Sequence, residues 1–567
     1  MAFVRTLKVT SSSGQIHTYA RIVENYRAGK KRKQRVIANL GNVITLKKNY
    51  KQILNGLARV VGKESPLFKD DLKNKAVKEY GVCYVVGKLW ELLKLNEVIS
   101  RHLKKKRVSL DYAKWIQMMV TNKLSDPRSK LGIFEWLKGV WWPDHGFSPR
   151  VFDESLSHEE KIKKVEVMKF YRALDYLLKM KAELEKHLYV EFRDLFSMKV
   201  DLVFYDVTSS YFEGNGPKDF AEKGYSRDHE PGKNQVVIGL IMCNGLPIGH
   251  EVFEGTRVDK KTVKEVLRKL KEQFEIDRCI FVGDRGLVSP ENLKELEAHG
   301  FESILALKKR RNNEVKEILL EVEPSVYCRL NNELEYREVK GENGVRYIVC
   351  HNPEVGMEQR EYREENLVEL KSELAELKEK VNSQKRPQIK KIIRQVEEVL
   401  SHKHGHRFFD YKVDEKTRKL SYWRREEALK LEEALDGVYI LRTCEPSLTP
   451  VQVIYAYKEL VDVERAFRTM KSVIDLRPFF HRALDRIRAH VFICVLAYLL
   501  NRVVDLKLKK RGIKFSAERA FESLKRMSIA VMEVGNEEYG YVSEVTPRQW
   551  QILSALGIKS PDKVLMP

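Results

Sequence analysis

Between residues 198 and 310 the residue pattern follows one order of elements, and that order restricts the fold more than any other feature of the chain. Three β-type runs come first: Val200 to Asp206, Gln235 to Met242 and Pro247 to Phe253. Helical spacing over Thr262 to Phe274, a strand over Arg278 to Asp284, a helix over Pro290 to Ala298 and a strand over Ser303 to Leu307 follow. Asn244-Gly245 is a two-residue hairpin signal between the second and third runs. The order implies an α/β fold. Two of its apolar runs, Leu202-Val-Phe-Tyr-Asp206 and Arg278-Cys-Ile-Phe-Val-Gly-Asp284, close on a carboxylate. Catalytic and ligand groups gather at strand ends in open α/β sheets, because a side chain can leave the sheet there while its backbone stays anchored.

A third acid belongs to Tyr457-Lys-Glu-Leu-Val-Asp-Val-Glu464-Arg-Ala-Phe-Arg-Thr-Met-Lys471. Steps of three and four residues predict one amphipathic helix, with Tyr457, Leu460, Glu464 and Lys471 on a shared face. Arg465 and Arg468 flank that face. Taken alone the segment reads as a surface helix with paired charges. With Asp206 and Asp284 it acquires a chemistry, since a divalent metal needs hard oxygen ligands and a phosphodiester needs cations.

Taken together these three segments resemble the DDE-type transposases of bacterial insertion sequences, in the group with a Tyr, Arg, Glu, Lys signature (YREK) around the last acid. Tyr457, Leu460, Glu464 and Lys471 reproduce its spacing, with Leu460 standing where the family usually has arginine. Asp206-Val-Thr208 and Gly283-Asp284-Arg285-Gly286 look like the family's first and second acid regions. The resemblance implies a ribonuclease H-like catalytic core interrupted by an inserted domain, with an N-terminal β plus helical DNA-binding region. It also implies that Asp206, Asp284 and Glu464 hold Mg²⁺ ions, for which Mn²⁺ can substitute. Tyr457, Arg465, Arg468, Lys471 and Arg285 are the expected contacts to DNA. The expected partners are double-stranded DNA, the element's terminal inverted repeats and target DNA, with a homodimer in the synaptic complex. A structure-specific nuclease on the same core, or a domesticated DNA-binding protein, is the rival reading.

The remaining sequence divides around that core. The chain of 567 residues carries 104 Lys and Arg against 81 Asp and Glu, a net charge of +23 that favours a polyanionic partner. Residues 1–65 predict a small antiparallel sheet with a basic turn, where Lys30, Lys31, Arg32 and Lys33 either grip phosphates or form a solvated loop. Residues 75–195 have helical spacing and basic clusters, suiting a DNA-binding or spacer domain, with Trp136, Trp141 and Trp142 assigned to packing. The core is divided into 198–310 and 446–510. The insertion, 311–445, contains a helical pair over Glu358 to Val381 and Gln388 to Leu400. Within it, Trp423 lies among cations, and either packs in a core or stacks on an unpaired base. His402, His404 and His406 lack partners at zinc-ligand spacing and read as a basic loop. Arg477, Arg486, Arg488 and His490 are expected near phosphates, and Val491 to Leu506 is expected as a buried helix. Residues 511–567 carry no functional signal. Seven scattered cysteines without a Cys-x-x-Cys pair, and no apolar run long enough to span a bilayer, suggest a cytoplasmic, nucleoid-associated protein without membrane contact.

Overall fold

The computed structural model describes residues 2–29, 31–63, 72–156, 159–196, 201–310, 313–320, 326–385, 387–534 and 537–565. Lys30 and Val200, named above, lie outside these. Two compact units emerge: residues 1–80 with 527–545 and 560–567, and residues 81–526 with 546–559.

In the first unit, strands Ala2–Thr10, Ile16–Ala28 and Lys31–Asn42 form the expected antiparallel sheet. The basic run is not a turn. Gly29 adopts φ +60, a left-handed conformation that glycine reaches without a Cβ penalty, and Lys31, Arg32 and Lys33 stand exposed on the third strand, where Lys31 pairs with Ala28. Asn42 then caps helix Val43–Val60 by accepting from the Ile44 N–H at 2.8 Å. Residues 72–79, read above largely as helix, form a strand instead. It pairs with Ser528–Val534, about 450 residues away, in a sheet completed by Glu537–Val542 and Val564–Leu565.

The second unit opens with helices between Gly81 and Phe196, among which Trp136 and Trp141 are buried as expected. A nine-stranded mixed sheet follows. Its strands are β1 (Leu202–Tyr211), β2 (Gln235–Cys243), β3 (Leu246–Glu254), β4 (Ile280–Gly283), β5 (Glu302–Ala306), β6 (Cys328–Arg329), β7 (Glu335–Lys340), β8 (Arg346–His351) and, after an excursion, β11 (Val438–Thr443). Helix α1 (Val263–Glu272) precedes β4 and helix α2 (Pro290–Ala298) precedes β5. The spatial order is β6-β7-β8-β11-β5-β4-β1-β2-β3. Strands β1 to β3 pair antiparallel and β1, β4 and β5 pair parallel, and the elements follow one another in the order the sequence predicts. Every residue of β2 is buried, and helices pack on the neighbouring strand β3. One of them is α7 (Leu484–Lys510), longer than expected and buried continuously from Ala489 to Val504, which packs on β3.

Residues 311–445, expected above as an insertion, do not all stand apart from the central sheet. Strands β6, β7, β8 and β11 extend the central sheet beyond β5. Between β8 and β11, helices α3 (Pro353–Asn382) and α4 (Ile389–Ser401) make the predicted helical hairpin. With the small hairpin β9 (Phe409–Val413) and β10 (Leu420–Arg424) they enclose a core of their own around Leu370, Leu374, Val396, Leu400 and Leu420. His402, His404 and His406 lie exposed in the turn that follows α4.

A buried ionic network ties the helix Lys181–Phe196 to β3 and α1. Glu185, 3% exposed, lies 2.7 Å from Lys269 and 3.3 Å from Lys181, and Lys269 also reaches Glu251 at 2.6 Å. Burial opposes ionisation of Glu185, but Lys181 and Lys269 outweigh it and hold the carboxyl well below its usual range. His250 sits 3.1 Å from Glu185, and burial beside Lys181 lowers its pKa to about 4.

Candidate active site

Asp206 lies in mid-strand, because β1 continues to Tyr211 beyond the apolar run that pattern alone detects. The parallel pairing of β1 with β4 sets Tyr205 opposite Gly283, so Asp206 on β1 and Asp284 just beyond β4 are the next residues along the two paired segments. Asp284 follows the last residue of β4, where the chain turns into the short helix Arg285–Leu287. A Cβ at Gly283 would come within 2.7 Å of the end of the Leu287 side chain, so a larger residue there would displace Leu287.

The predicted signature helix is two helices, α5 (Pro450–Lys458) and α6 (Val461–Ser472). The break falls at Leu460, which turns into the core at 6% exposure, and the N–H groups of Leu460, Asp462 and Val463 bond three residues back rather than four. An apolar residue in place of arginine is therefore a packing residue. Glu464 stands exposed in the first turn of α6, and Tyr457 in the last turn of α5 donates its hydroxyl to Asp284 Oδ1 at 3.2 Å. Burial and the Asp284 charge push the Tyr457 pKa upward, so the phenol keeps its proton.

These elements enclose a cleft of about 440 Å³ lined by five acids, Asp206, Asp228, Asp259, Asp284 and Glu464. Arg227, Arg468, Lys471 and Arg477 supply cations to the same walls. The acids fall into two sets. Asp259 is clasped by Arg227 at 2.7 Å, and Asp228 is shared by Lys471 at 2.7 Å and by Arg477. Asp206, Asp284 and Glu464 have no ion-pair partner among the described residues. Burial, reinforced by the charge of Asp284, raises the Asp206 pKa from 3.8 to about 7. A carboxylate in that condition lacks a cation, and its hard oxygen donors suit a divalent one. As the side chains stand, no three His, Cys, Asp or Glu groups among the described residues are gathered closely enough to hold a metal.

The structure distributes the other expected contacts as follows. Arg468 is exposed on the cleft without an ion-pair partner among the described residues, and Arg285 is exposed nearby. Arg465 is exposed but pairs with Asp462 at 2.7 Å. Lys471 is mostly buried and is engaged by Thr208 and Asp228. Arg486 pairs with Asp175 at 3.0 Å and His490 is buried against Lys130, so neither faces the cleft. Trp423 is 48% exposed on β10, which removes core packing as its role. Asp228 and Arg227 were missed because they sit in an irregular segment without periodicity, and Asp259 because it opens a three-residue 3-10 helix too short to show any. The only local signal was the charged run Arg227-Asp-His-Glu230 before β2.

Residues 200–500 match the family model described as the transposase DDE domain. This chain belongs to the DDE transposases. Residues 4–67 match the N-terminal domain of the IS1634 family transposases, so the transposase is of the insertion-sequence type. It is a DNA transposase, an enzyme that cuts and joins DNA. No curated protein matches the chain. Among solved structures, a synaptic complex of piggyBac transposase with hairpin DNA is similar with a TM-score of 0.38 and 11% identity, over 78% of this chain and 79% of that chain. The Mos1 transposase paired-end complex with the left transposon end has a TM-score of 0.14 and 13% identity, over 31% of this chain and 68% of that chain.

Proposed function

We propose that Asp206, Asp284 and Glu464 are the catalytic carboxylates of this transposase and that they hold Mg²⁺, with Mn²⁺ able to substitute. On this reading the enzyme cuts and joins the ends of a mobile element by phosphodiester hydrolysis and transesterification. One observation carries it: of the five acids lining the cleft, these three lack a cation partner among the described residues, while Asp228 and Asp259 are paired. When bound, divalent ions supply Lewis-acid activation of an attacking water or 3′ hydroxyl and charge stabilisation at the leaving oxygen.

The side chains prepare that chemistry. Tyr457 fixes the Asp284 carboxylate by donating to Oδ1. Lys471 bonds Thr208 on β1, which ties the helix bearing Glu464 to the strand bearing Asp206. Arg468 offers a cation to the strand in the cleft, with Arg465 and Arg285 at its margin, and takes over the contact that a signature arginine would make at Leu460. We assign the chain to the Tyr, Arg, Glu, Lys (YREK) group on the spacing of Tyr457, Glu464 and Lys471. Lys31, Arg32 and Lys33 on the N-terminal sheet bind the DNA backbone, and the active assembly is a homodimer on paired inverted repeats.

The decisive experiment is strand cleavage and joining in Mg²⁺ on DNA carrying the flanks of the coding sequence. Glu464→Gln keeps the side-chain shape at an exposed position, so melting should stay within a few tenths of a kcal/mol of wild type. Cleavage should fall by several orders of magnitude, as for Asp206→Asn and Asp284→Asn. Near-normal cleavage by Glu464→Gln would transfer the third role to Asp228 or Asp259, which share the cleft.

A further inference from the structure

Asp228 is 3% exposed on the loop between β1 and β2, and two cations converge on it. Lys471 Nζ donates to its Oδ1 at 2.7 Å and to Thr208 Oγ1 at 2.7 Å, and the Arg477 guanidinium reaches the same Oδ1. Its Oδ2 is buried with no hydrogen-bond partner. Two positive groups sharing one carboxylate leave a net charge of +1 on the cleft wall. A phosphodiester carries one negative charge. The remaining N–H groups of Arg477, a side chain 31% exposed, meet no partner among the described residues, and its guanidinium lies 5.8 Å from the Tyr211 ring centroid. Without Asp228, the two cations would repel one another and the spacing between them would be undefined.

We propose that Asp228 is a positioning residue that holds Lys471 and Arg477 side by side as a seat for one phosphodiester of the bound DNA strand. The proposal rests on the reading of this cleft as the site of strand cleavage. The seat binds through two converging donors of fixed separation, and the buried acid sets that separation while leaving charge for a single phosphate. Neutralising Asp228 therefore has opposite effects on two observables. Attraction for DNA rises because the seat goes from +1 to +2, while the placement of the reacting phosphate is lost.

The test uses the full chain with Arg477→Gln and Asp228→Asn. Binding to a mixed-sequence duplex, followed across a NaCl series, should lose about 0.9 from the slope of log Kobs against log salt in Arg477→Gln, the signature of one phosphate contact. Asp228→Asn should bind that duplex at least as tightly as wild type, yet cleave saturating flank DNA about tenfold more slowly or worse. An unchanged slope in a folded Arg477→Gln overturns the proposal. So does an Asp228→Asn protein that loses binding and cleavage in equal proportion, as a merely structural acid would. If Asp228→Asn does not fold, the Arg477→Gln slope alone decides. Glu464→Gln serves as the independent control: normal cleavage there sinks the carboxylate reading and leaves the slope result standing.

Discussion

Raising pH should destabilise the metal-free transposase through Asp206, and divalent metal should remove the effect. Burial with the charge of Asp284 lifts this carboxyl from 3.8 to about 7 in the folded chain. Between those values the folded state holds a proton that the unfolded state has released. Unfolding free energy then falls as pH rises, by up to about 1.4 kcal/mol per pH unit. The stabilising contribution is complete below the unfolded value and is lost as pH passes through the folded one. From about pH 5 to about pH 8 the loss integrates to about 2–3 kcal/mol, a ceiling because Asp206 keeps partial access to solvent. His250 works in the opposite direction at lower pH, since its pKa is lowered to about 4, so the wild-type curve alone cannot isolate the effect. The assay is therefore urea unfolding at a series of pH values in chelator, wild type against Asp206→Asn, then repeated in Mg²⁺. The difference between the two proteins should slope with pH in chelator and flatten in Mg²⁺. Parallel curves in chelator would refute the argument that Asp206 is a buried acid awaiting a cation.

Three further outcomes are expected. Trp423→Ala should leave the melting temperature unchanged, because the ring is 48% exposed, and slow end cleavage by a factor equivalent to about 1–3 kcal/mol if the ring stacks on a base; unchanged cleavage removes that role. Replacing Lys31, Arg32 and Lys33 together by Ala should reduce the salt slope of DNA binding by about 0.9 for each phosphate that these side chains neutralise, and an identical slope takes the N-terminal sheet out of the interface. Lys269→Met removes the lysine 2.7 Å from buried Glu185, leaving Lys181 at 3.3 Å as its remaining lysine partner beside the hydrogen bonds from the His250 N–H and Gln273, and should lower stability by about 3 kcal/mol in urea unfolding; a shift within error would show that Lys181 and those hydrogen bonds suffice.

The parts legible in the sequence were those written in local periodicity. The five strands of the core, the Asn244-Gly245 turn, the N-terminal sheet and the α3–α4 hairpin follow from alternation, helical spacing and turn chemistry. Asp206 and Asp284 could be singled out because an acid interrupts or closes an apolar run. Strand pairing across long separations was not legible: nothing near residue 75 indicates that its partner lies near residue 530. Likewise no pattern showed that β11 would dock beside β5 and draw part of the insertion into the main sheet. The break at Leu460 was hidden because one helix and two short ones share the same spacing of apolar residues. Asp228 and Asp259 were hidden because neither a loop nor a three-residue helix shows a period, and their roles appear only once Lys471, Arg477 and Arg227 converge on them in space.

The docking of β11 against β5 limits how the inserted residues can be treated in engineering. Leu441, Arg442 and Thr443 pair with Ala306, Leu305 and Ile304, and so satisfy a row of main-chain groups that would otherwise end the sheet. A shortened protein that joined residue 310 directly to the residues after Thr443 would keep Asp206, Asp284 and Glu464. It would also expose the side of an apolar strand, Glu302-Ser-Ile-Leu-Ala306, with its hydrogen-bonding edge open to any passing copy. Such a truncation would be expected to accumulate as aggregate, and a soluble minimal enzyme would need the β7–β8–β11 strands retained or a charged or proline-bearing substitute along that edge.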